Sequence, residues 1–453
     1  MKIKAICIAL FLLSSSSSFA LDLVESYERA KRVDPNWQAS LLQYEADKLN
    51  LGIATGNLLP TVTVSGNITR KNQSLNNGGS TPGLELASPS STARQIAITA
   101  RQPVFRWDAW EGLKQVRTSI HLSEVNLQLK QQEHILQVAD AYFNVLRQQA
   151  LTAAYLQEEQ ALSEQLKMMS AKLKEGLVAH SDVSEANAQY QNARANRMGT
   201  HVQLVLAQEQ LQQLIGPYRE NLAVLRDDFQ FQKPIPDNIQ AWEDLAQAQN
   251  LGILQARIQR RYAEDGKRVE QAALLPQIEA VGSYGYAKQS PQTVMSADGQ
   301  FDQVGVEMNW NVYTGGRTQK SIKQAAINVT KSEAQFDAAT LKAKTDVKKA
   351  FLQVDTDQAK LQARKAAMDS SETVSKASNA QYREGLKTMV DVLLAQRNAF
   401  SAKQDYLNAK YDYLLHVLQL KAAVGKLSEA DLAEMNAWLV VNLPQSESSI
   451  KKK

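Results

Sequence analysis

Two kinds of hydrophobic period alternate along this chain, and each occurs twice. From Pro60 onward Val62, Val64, Gly66 and Ile68 alternate with Thr61, Thr63, Ser65 and Asn67. The stretch from Asn72 to Thr92 is mostly Asn, Gly, Ser and Pro, a solvated loop by composition. Ile96, Ile98 and Ala100 then resume the alternation toward Phe105. A period of two, wet on one side and apolar on the other, predicts strands at about 61–72 and 93–105. The pattern returns with Ile278, Ala280 and Gly282 leading to Tyr284 and Tyr286. Beyond a polar loop with Pro291, Asp298 and Gly299, the apolar set Val304, Val306, Met308, Trp310 and Val312 opposes Gln303, Gly305, Glu307, Asn309 and Asn311. These runs predict strands at about 277–287 and 301–313, with Tyr284, Tyr286, Trp310, Tyr313 and Trp107 near their ends.

Each strand pair is followed by a helical tract with almost no breakers. Asp108 to about Lys174 holds no proline and only Gly112; Gly315 to about Glu384 holds no proline and no glycine after Gly316. Roughly 65 residues at about 1.5 Å each make a helix of about 100 Å, far longer than a globular protein needs. A second helix follows each Glu-Gly-Leu, so helical hairpins over about 108–215 and 315–424 turn at Gly176 and Gly385. Leu393, Phe400, Leu407 and Leu414 fall seven apart, and Met198 and Val205 keep the spacing in the other copy. Such a stripe predicts helix packed along helix as a coiled coil. Asp22 to about Asn57 reads helical around a lone Pro35. Segments 216–240 and 425–445 carry little periodicity and read as a belt around the long helices; Ser446 to Lys453 reads as a disordered tail.

Local identities mark an internal duplication. Pro103-Val104-Phe105 returns as Asn311-Val312-Tyr313, Ala141-Tyr142-Phe143 as Ala350-Phe351-Leu352, and Lys174-Glu175-Gly176-Leu177 as Arg383-Glu384-Gly385-Leu386, at an offset of 208 to 209 residues. Repeat one runs over 21–240 and repeat two over 241–445.

Composition narrows the setting. Lys2 and Lys4, the apolar run Ala5–Leu13 and Ser18-Phe19-Ala20 form an export signal over 1–20, with cleavage expected before Leu21. The single cysteine, Cys7, leaves with it, so no disulfide or thiol site is expected. Setting aside Lys2 and Lys4 leaves 49 of the 51 basic residues against 47 acidic ones, a net of +2. This balance offers nucleic acid no footprint. After Ala20 no stretch approaches the ~18 apolar residues of a spanning helix; a bilayer can be crossed only by barrel strands. Four strands cannot close a barrel, and their open edges in hydrocarbon would cost several kcal/mol per group. Three chains would supply twelve strands, a known barrel size, whereas the eight strands of two chains would enclose only packed side chains. The expected fold class is therefore a mixed α/β membrane protein: a homotrimeric twelve-stranded outer-membrane barrel in outer-membrane lipid, continued by an α-helical coiled-coil barrel.

The signal peptide, the duplicated strand-pair and hairpin unit, the Glu-Gly-Leu turns with an Asp-containing helix start, and the closing run from Leu414 to Leu432 together resemble the TolC family of outer-membrane efflux and type I secretion proteins. The likeness covers nearly the whole exported chain. It implies a passive trimeric duct whose barrel lies in the outer membrane and whose helices cross the periplasm. An inner-membrane pump of the RND, ABC or MFS type and a periplasmic adaptor would dock at the tip, around Gly176, Leu177, Gly385 and Leu386. It further implies a gate in which a tyrosine and an arginine tie one hairpin to a Thr-Asp pair, while two aspartates line the throat. Tyr382 matches the tyrosine, Ser181 and Asp182 the pair, and Asp391 the first aspartate. Lys387 replaces the arginine and Leu394 the second aspartate. Lysine lacks the fork of arginine, so a looser lock is expected. Three Asp391 carboxylates in one ring would repel one another or recruit a cation. On their own residues, Asp182 and Asp391 read equally well as acids at helix starts.

No cofactor or metal is expected. His121, His134, His180, His201 and His416 form no metal-binding spacing, no phosphate-cradling Gly-rich motif is present, and His180-Ser181-Asp182, being adjacent, cannot converge as a triad. The chain is expected not to be an enzyme. The rival to a duct is a trimeric coiled-coil tether or adhesin with a barrel anchor, for which a second copy of strands and hairpin would serve no purpose.

Overall fold

The computed structural model describes residues 20–72, 90–226, 229, 234–290 and 298–440. The export signal up to residue 19, most of the loop between the first two strands, Pro291 and the terminal tail lie outside them. In chain order the elements are α1 (Leu23–Val33), α2 (Pro35–Gly56), β1 (Thr61–Asn72), β2 (Ser90–Phe105), α3 (Trp107–Lys174), α4 (His180–Ile215), β3 (Val224–Leu225), α5 (Ile239–Gln249), α6 (Leu251–Ala272), β4 (Gln277–Ser290), β5 (Gly299–Asn309), α7 (Arg317–Arg383), α8 (Met389–Val424), α9 (Glu429–Asn436) and β6 (Leu439–Val440). Two compact units emerge, one of residues 1–40, 128–251 and 341–453, the other of 41–127 and 252–340.

The first unit holds the apolar core. Ile135, Val138, Tyr142, Phe143 and Leu146 on α3 pack with Leu211 and Ile215 of α4, Leu414 and Leu418 of α8, and Leu21, Leu23 and Tyr27 at the start of the described chain. Tyr142 is completely buried, and its hydroxyl donates to the carbonyls of Leu21 at 3.0 Å and Ala223 at 2.8 Å. A phenol this deep needs such partners, because an unpaired hydroxyl in a core costs free energy. Pro35 does not interrupt one helix but opens the second. Its missing N–H costs nothing at the first helical position, and Asp34 ends α1 in extended conformation. The closing segment is more ordered than its weak periodicity suggests. The Asp431 carboxylate accepts from the Ser428 amide and hydroxyl at the start of α9, and β6 pairs with β3 over two residues.

The second unit holds a four-stranded antiparallel sheet in the order β1-β2-β4-β5. The middle joint, β2 with β4, pairs strands from the two repeats, placing Ile98 opposite Tyr284 and Ile96 opposite Tyr286. β5 ends at Asn309, short of the expected 313, because Trp310 turns its indole N–H to the carbonyl of Leu274, at 3.1 Å. β2 starts at Ser90 and β4 runs to Ser290, both longer than the alternation indicated. There polar and small residues fill both faces, and only backbone pairing marks the strand.

Candidate functional site

Antiparallel partners share a face, so register sorts the sheet without ambiguity. Val62, Val64 and Ile68 line up with Ile96, Ile98 and Ala100, with Ala280 and Tyr284, and with Val304, Val306 and Met308. This face is apolar and uncovered: Val304 is 90% exposed and Ile68 74%. The opposite face carries Thr61, Thr63, Ser65, Asn67, Thr99, Gln95 and Gln303. At its helical end Arg101 bonds Glu307 at 2.7 Å and approaches Glu279, while Arg106 links Glu279 to Asp108. Gly285 lies on the polar face under its cross-strand partner Phe301. A Cβ there would fall 2.5 Å from the Ile96 carbonyl and 2.7 Å from the Phe301 ring. The outer strands β1 and β5 have no strand partner on their far edges among the described residues. An apolar face with a polar reverse is how a sheet stands between lipid and water.

The second place of interest is the pair of hairpin turns, within the first unit. Gly176 and Gly385 adopt φ of +70° and +76°, which L side chains disfavour, and each lets the chain reverse after its long helix. The leucines that follow point into solvent, Leu177 71% and Leu386 77% exposed. Behind the turns an apolar cluster of Leu162, Met169, Ala186, Met389, Val392 and Leu393 joins the two hairpins. In the copy with Met198 and Val205 both are exposed, whereas Leu393 and Leu414 are buried.

Asp391 and Asp182 take equivalent positions at helix starts. The Asp391 carboxylate accepts from the Thr388 amide at 3.0 Å and hydroxyl at 2.6 Å, and the Asp391 amide donates back to Thr388 Oγ1 at 3.3 Å. The Thr388 hydrogen bonds hold this exposed carboxyl below its ordinary pKa. Asp182 accepts from the Ala179 amide at 3.2 Å, but Ala179 has no side-chain oxygen to accept in return, and the Asp182 amide donates to the Ala179 carbonyl at 3.1 Å. Ser181 is exposed. Tyr382 meets Lys172: the ammonium donates to its hydroxyl at 3.2 Å and stands 4.6 Å from the ring centroid. The same hydroxyl lies 3.8 Å from Met169 Sδ. Lys387 donates to Ser378 Oγ at 2.9 Å. Within the chain no hydrogen bond joins Tyr382 or Lys387 to Ser181 or Asp182 among the described residues. Sequence reasoning missed Lys172, Met169 and Ser378, which no motif marks; Thr388 was legible as the first residue of a Thr-x-x-Asp cap. No cluster of His, Cys, Asp and Glu suited to a metal occurs among the described residues.

A duplicated unit of strand pair and long helical hairpin, with an uncovered apolar sheet face, defines an outer-membrane channel of the mixed strand-and-helix kind. Residues 26–217 and 242–426 match the model of the outer membrane efflux protein family, and the chain belongs to that family. It is 30% identical over 433 residues to the outer membrane protein TolC of Escherichia coli, covering 93% of this chain and 86% of TolC. It is 27% identical over 434 residues to the alkaline protease secretion protein AprF of Pseudomonas aeruginosa, covering 94% and 88%. Among solved structures, the CmeC outer membrane channel of Campylobacter jejuni superposes with a TM-score of 0.77 at 15% identity, covering 92% of this chain and 90% of CmeC. The protein belongs to the outer membrane, and its relatives are transport proteins rather than enzymes.

Proposed function

We propose that this chain is one third of a passive export duct. Three copies join their four strands into a twelve-stranded barrel in the outer membrane, and their long helices pack as a coiled-coil barrel through the periplasm. Small toxic molecules, drugs or proteins pass from an inner-membrane pump of the RND, ABC or MFS type, through a periplasmic adaptor, into this duct. The carrying observation is the sheet: one apolar face uncovered, the reverse polar, and neither outer strand paired along its far edge among the described residues. A lone chain would leave backbone groups unpaired in hydrocarbon, which identical copies remove by pairing edge to edge.

The hairpin turns form the periplasmic end in this reading. Exposed Leu177 and Leu386 beside Gly176 and Gly385 offer apolar knobs to the adaptor. Asp391 stands at the throat, where threefold symmetry makes a ring of carboxylates; Tyr382, Lys387, Ser181 and Asp182 govern its width. Secretion by AprF and the efflux naming of the family support transport, and the substitutions Lys387 and Leu394 favour a weaker cation site. The purified chain should run as a trimer by light scattering and open steady channels in planar bilayers. A well-folded monomer, or a trimer that conducts nothing, would reject the duct. Asp391→Ala should weaken divalent-cation block, and unaltered block would remove Asp391 from the throat.

A further inference from the structure

A groove of about 710 Å³ lies between α3 and α6 in the second unit. Arg117 on α3 and Arg257, Arg260, Arg261 and Arg268 on α6 line it. Arg260 reaches Glu264 at 3.5 Å, and Arg268 pairs with Asp265. Arg117, Arg257 and Arg261 are exposed and have no carboxylate partner among the described residues. The Arg257 and Arg260 guanidiniums stand 6.0 and 5.5 Å from the ring centroid of Phe336 on α7. Uncompensated guanidinium groups held around one cavity are arranged to meet anions, because each fork can bind a carboxylate or phosphate through two hydrogen bonds.

The side of the wall on which the groove lies follows from the strand register. A bulge at Val104 sets Phe105 opposite Ile278, on the apolar face. Phe105 stacks on Trp107 with ring centroids 6.4 Å apart, and Lys114 stands 5.5 Å over the Trp107 ring. Arg117 and His121 follow Lys114 at three and seven residues, on the same stripe of α3. The groove therefore opens on the side continuous with the lipid-facing surface, outside the wall of the duct proposed above. The strands attached to α3 and α6 are the inner pair of the sheet, so the seam between copies, made by β1 and β5, leaves the groove uncovered.

Depth identifies the occupant. At about 1.5 Å per residue, Arg261 and Arg257 lie about 16 and 22 Å from the membrane-side end of α6 at Ala272, and Arg117 about 15 Å from Trp107. The headgroup layer of a leaflet is only about 6 Å deep. Lipid phosphates reach Arg268, about 6 Å from Ala272, but not these three arginines. Leu254 and Ile258 also line the groove, but its cationic groups spread over about 16 Å of one helix, a row suited to anions repeated along a polymer rather than to the single central anchor of a folded partner. We propose that the groove binds the peptide-bearing glycan of the cell wall, through carboxylates spaced along its stem peptides, and so fixes the duct in the wall it crosses. This assignment rests on the outward orientation of the apolar sheet face.

The test is co-sedimentation of the full exported chain, in detergent, with purified insoluble wall sacculi at low ionic strength. The wild type should pellet with them, and about 0.5 M salt should release it. The triple variant Arg117→Gln, Arg257→Gln, Arg261→Gln should bind about tenfold more weakly, each exposed contact contributing a factor of about two to three. Sacculi whose carboxyls have been amidated should capture neither protein. Trimer mass and bilayer conductance of the variant, equal to wild type, show that it is folded. A conducting wild-type trimer that stays in the supernatant, a triple variant that pellets as well as wild type, or indifference to amidation would each overturn wall binding and leave the duct intact. Capture by vesicles rich in phosphatidylglycerol but not by sacculi would reassign the groove to lipid and overturn it too. A wild type without trimer mass or conductance would instead overturn the duct.

Discussion

In the proposed duct, replacing Lys172 with leucine should loosen the hairpin end. The lysine belongs to the first hairpin and Tyr382 to the second, so their contact is a tie between hairpins of one chain. It combines a hydrogen bond of 3.2 Å with a cation–π contact of 4.6 Å. A hydrogen bond from a charged donor contributes about 1.5–3 kcal/mol when buried, and a cation–π contact in water about 0.5–1 kcal/mol. Both residues are half-exposed, so solvent screening reduces the sum to about 1–2 kcal/mol. Lost from each subunit, that shifts the closed-to-open ratio by a factor of about 5–30. Leucine is a strong helix former with a stem of similar girth, so the helix should persist. Single-channel recording in planar bilayers reads the result as longer open times or higher conductance. Tyr382→Phe keeps the ring but not the hydroxyl and should give a smaller effect; Lys172→Arg should behave close to wild type. If Lys172→Leu gates as wild type does, or Lys172→Arg is as disruptive as Lys172→Leu, the tie plays no part in gating.

Tyr142→Phe should destabilise the first unit by about 1–2 kcal/mol through the carbonyl left unpaired, and Tyr142→Ala by about 3–5 kcal/mol; denaturant unfolding followed by circular dichroism would show equal midpoints if the buried hydroxyl were idle. Gly285→Val should cost about 1–3 kcal/mol or disrupt the sheet, because a Cβ meets the Ile96 carbonyl and the Phe301 ring; a normal yield of folded protein in the outer membrane would contradict this. His134 is buried, stacked on Trp37 at 5.4 Å with its Nε2 3.2 Å from Asp34. Burial depresses its pKa, partly opposed by Asp34. The unfolded chain then takes up the proton first, so stability is complete above about pH 6.5 and falls as pH drops from there through the folded pKa. His134→Phe should flatten that acid slope of melting temperature, and parallel slopes would exclude His134 as its source.

What the sequence discloses depends on how local the cause is. The strand alternation at Val62, Val64 and Ile68, or at Val304, Val306 and Met308, is local and legible because one face must shed water. The turns at Gly176 and Gly385 are legible because only glycine reverses the chain there cheaply. The β2–β4 pairing across the two repeats is not, since any of four strands could have met any other. Neither is the bulge at Val104, which moves Phe105 to the apolar face at no cost in composition. β3 and β6, two residues each, are too short for any period and exist through their tertiary pairing. Beside the hairpin turns, the acids at the starts of α4 and α8 were visible as charges near helix ends. The meeting of Lys172 with Tyr382 was hidden, because it joins residues 210 apart on two different hairpins.

The sheet has two unlike rims, β1 on one side and β5 on the other. Between subunits that keep one orientation in the membrane, unlike rims meet head to tail, so every joint of a closed ring would be the same joint. A subunit spoiled at β5 alone would still offer a sound β1 to its neighbour, enter a growing ring, and stop it from closing. In the proposed trimer, random mixing of equal amounts would leave only about one ring in eight free of spoiled subunits. A defect confined to one rim would thus be inherited as a dominant trait, whereas an unfolded chain, unable to join, would be recessive.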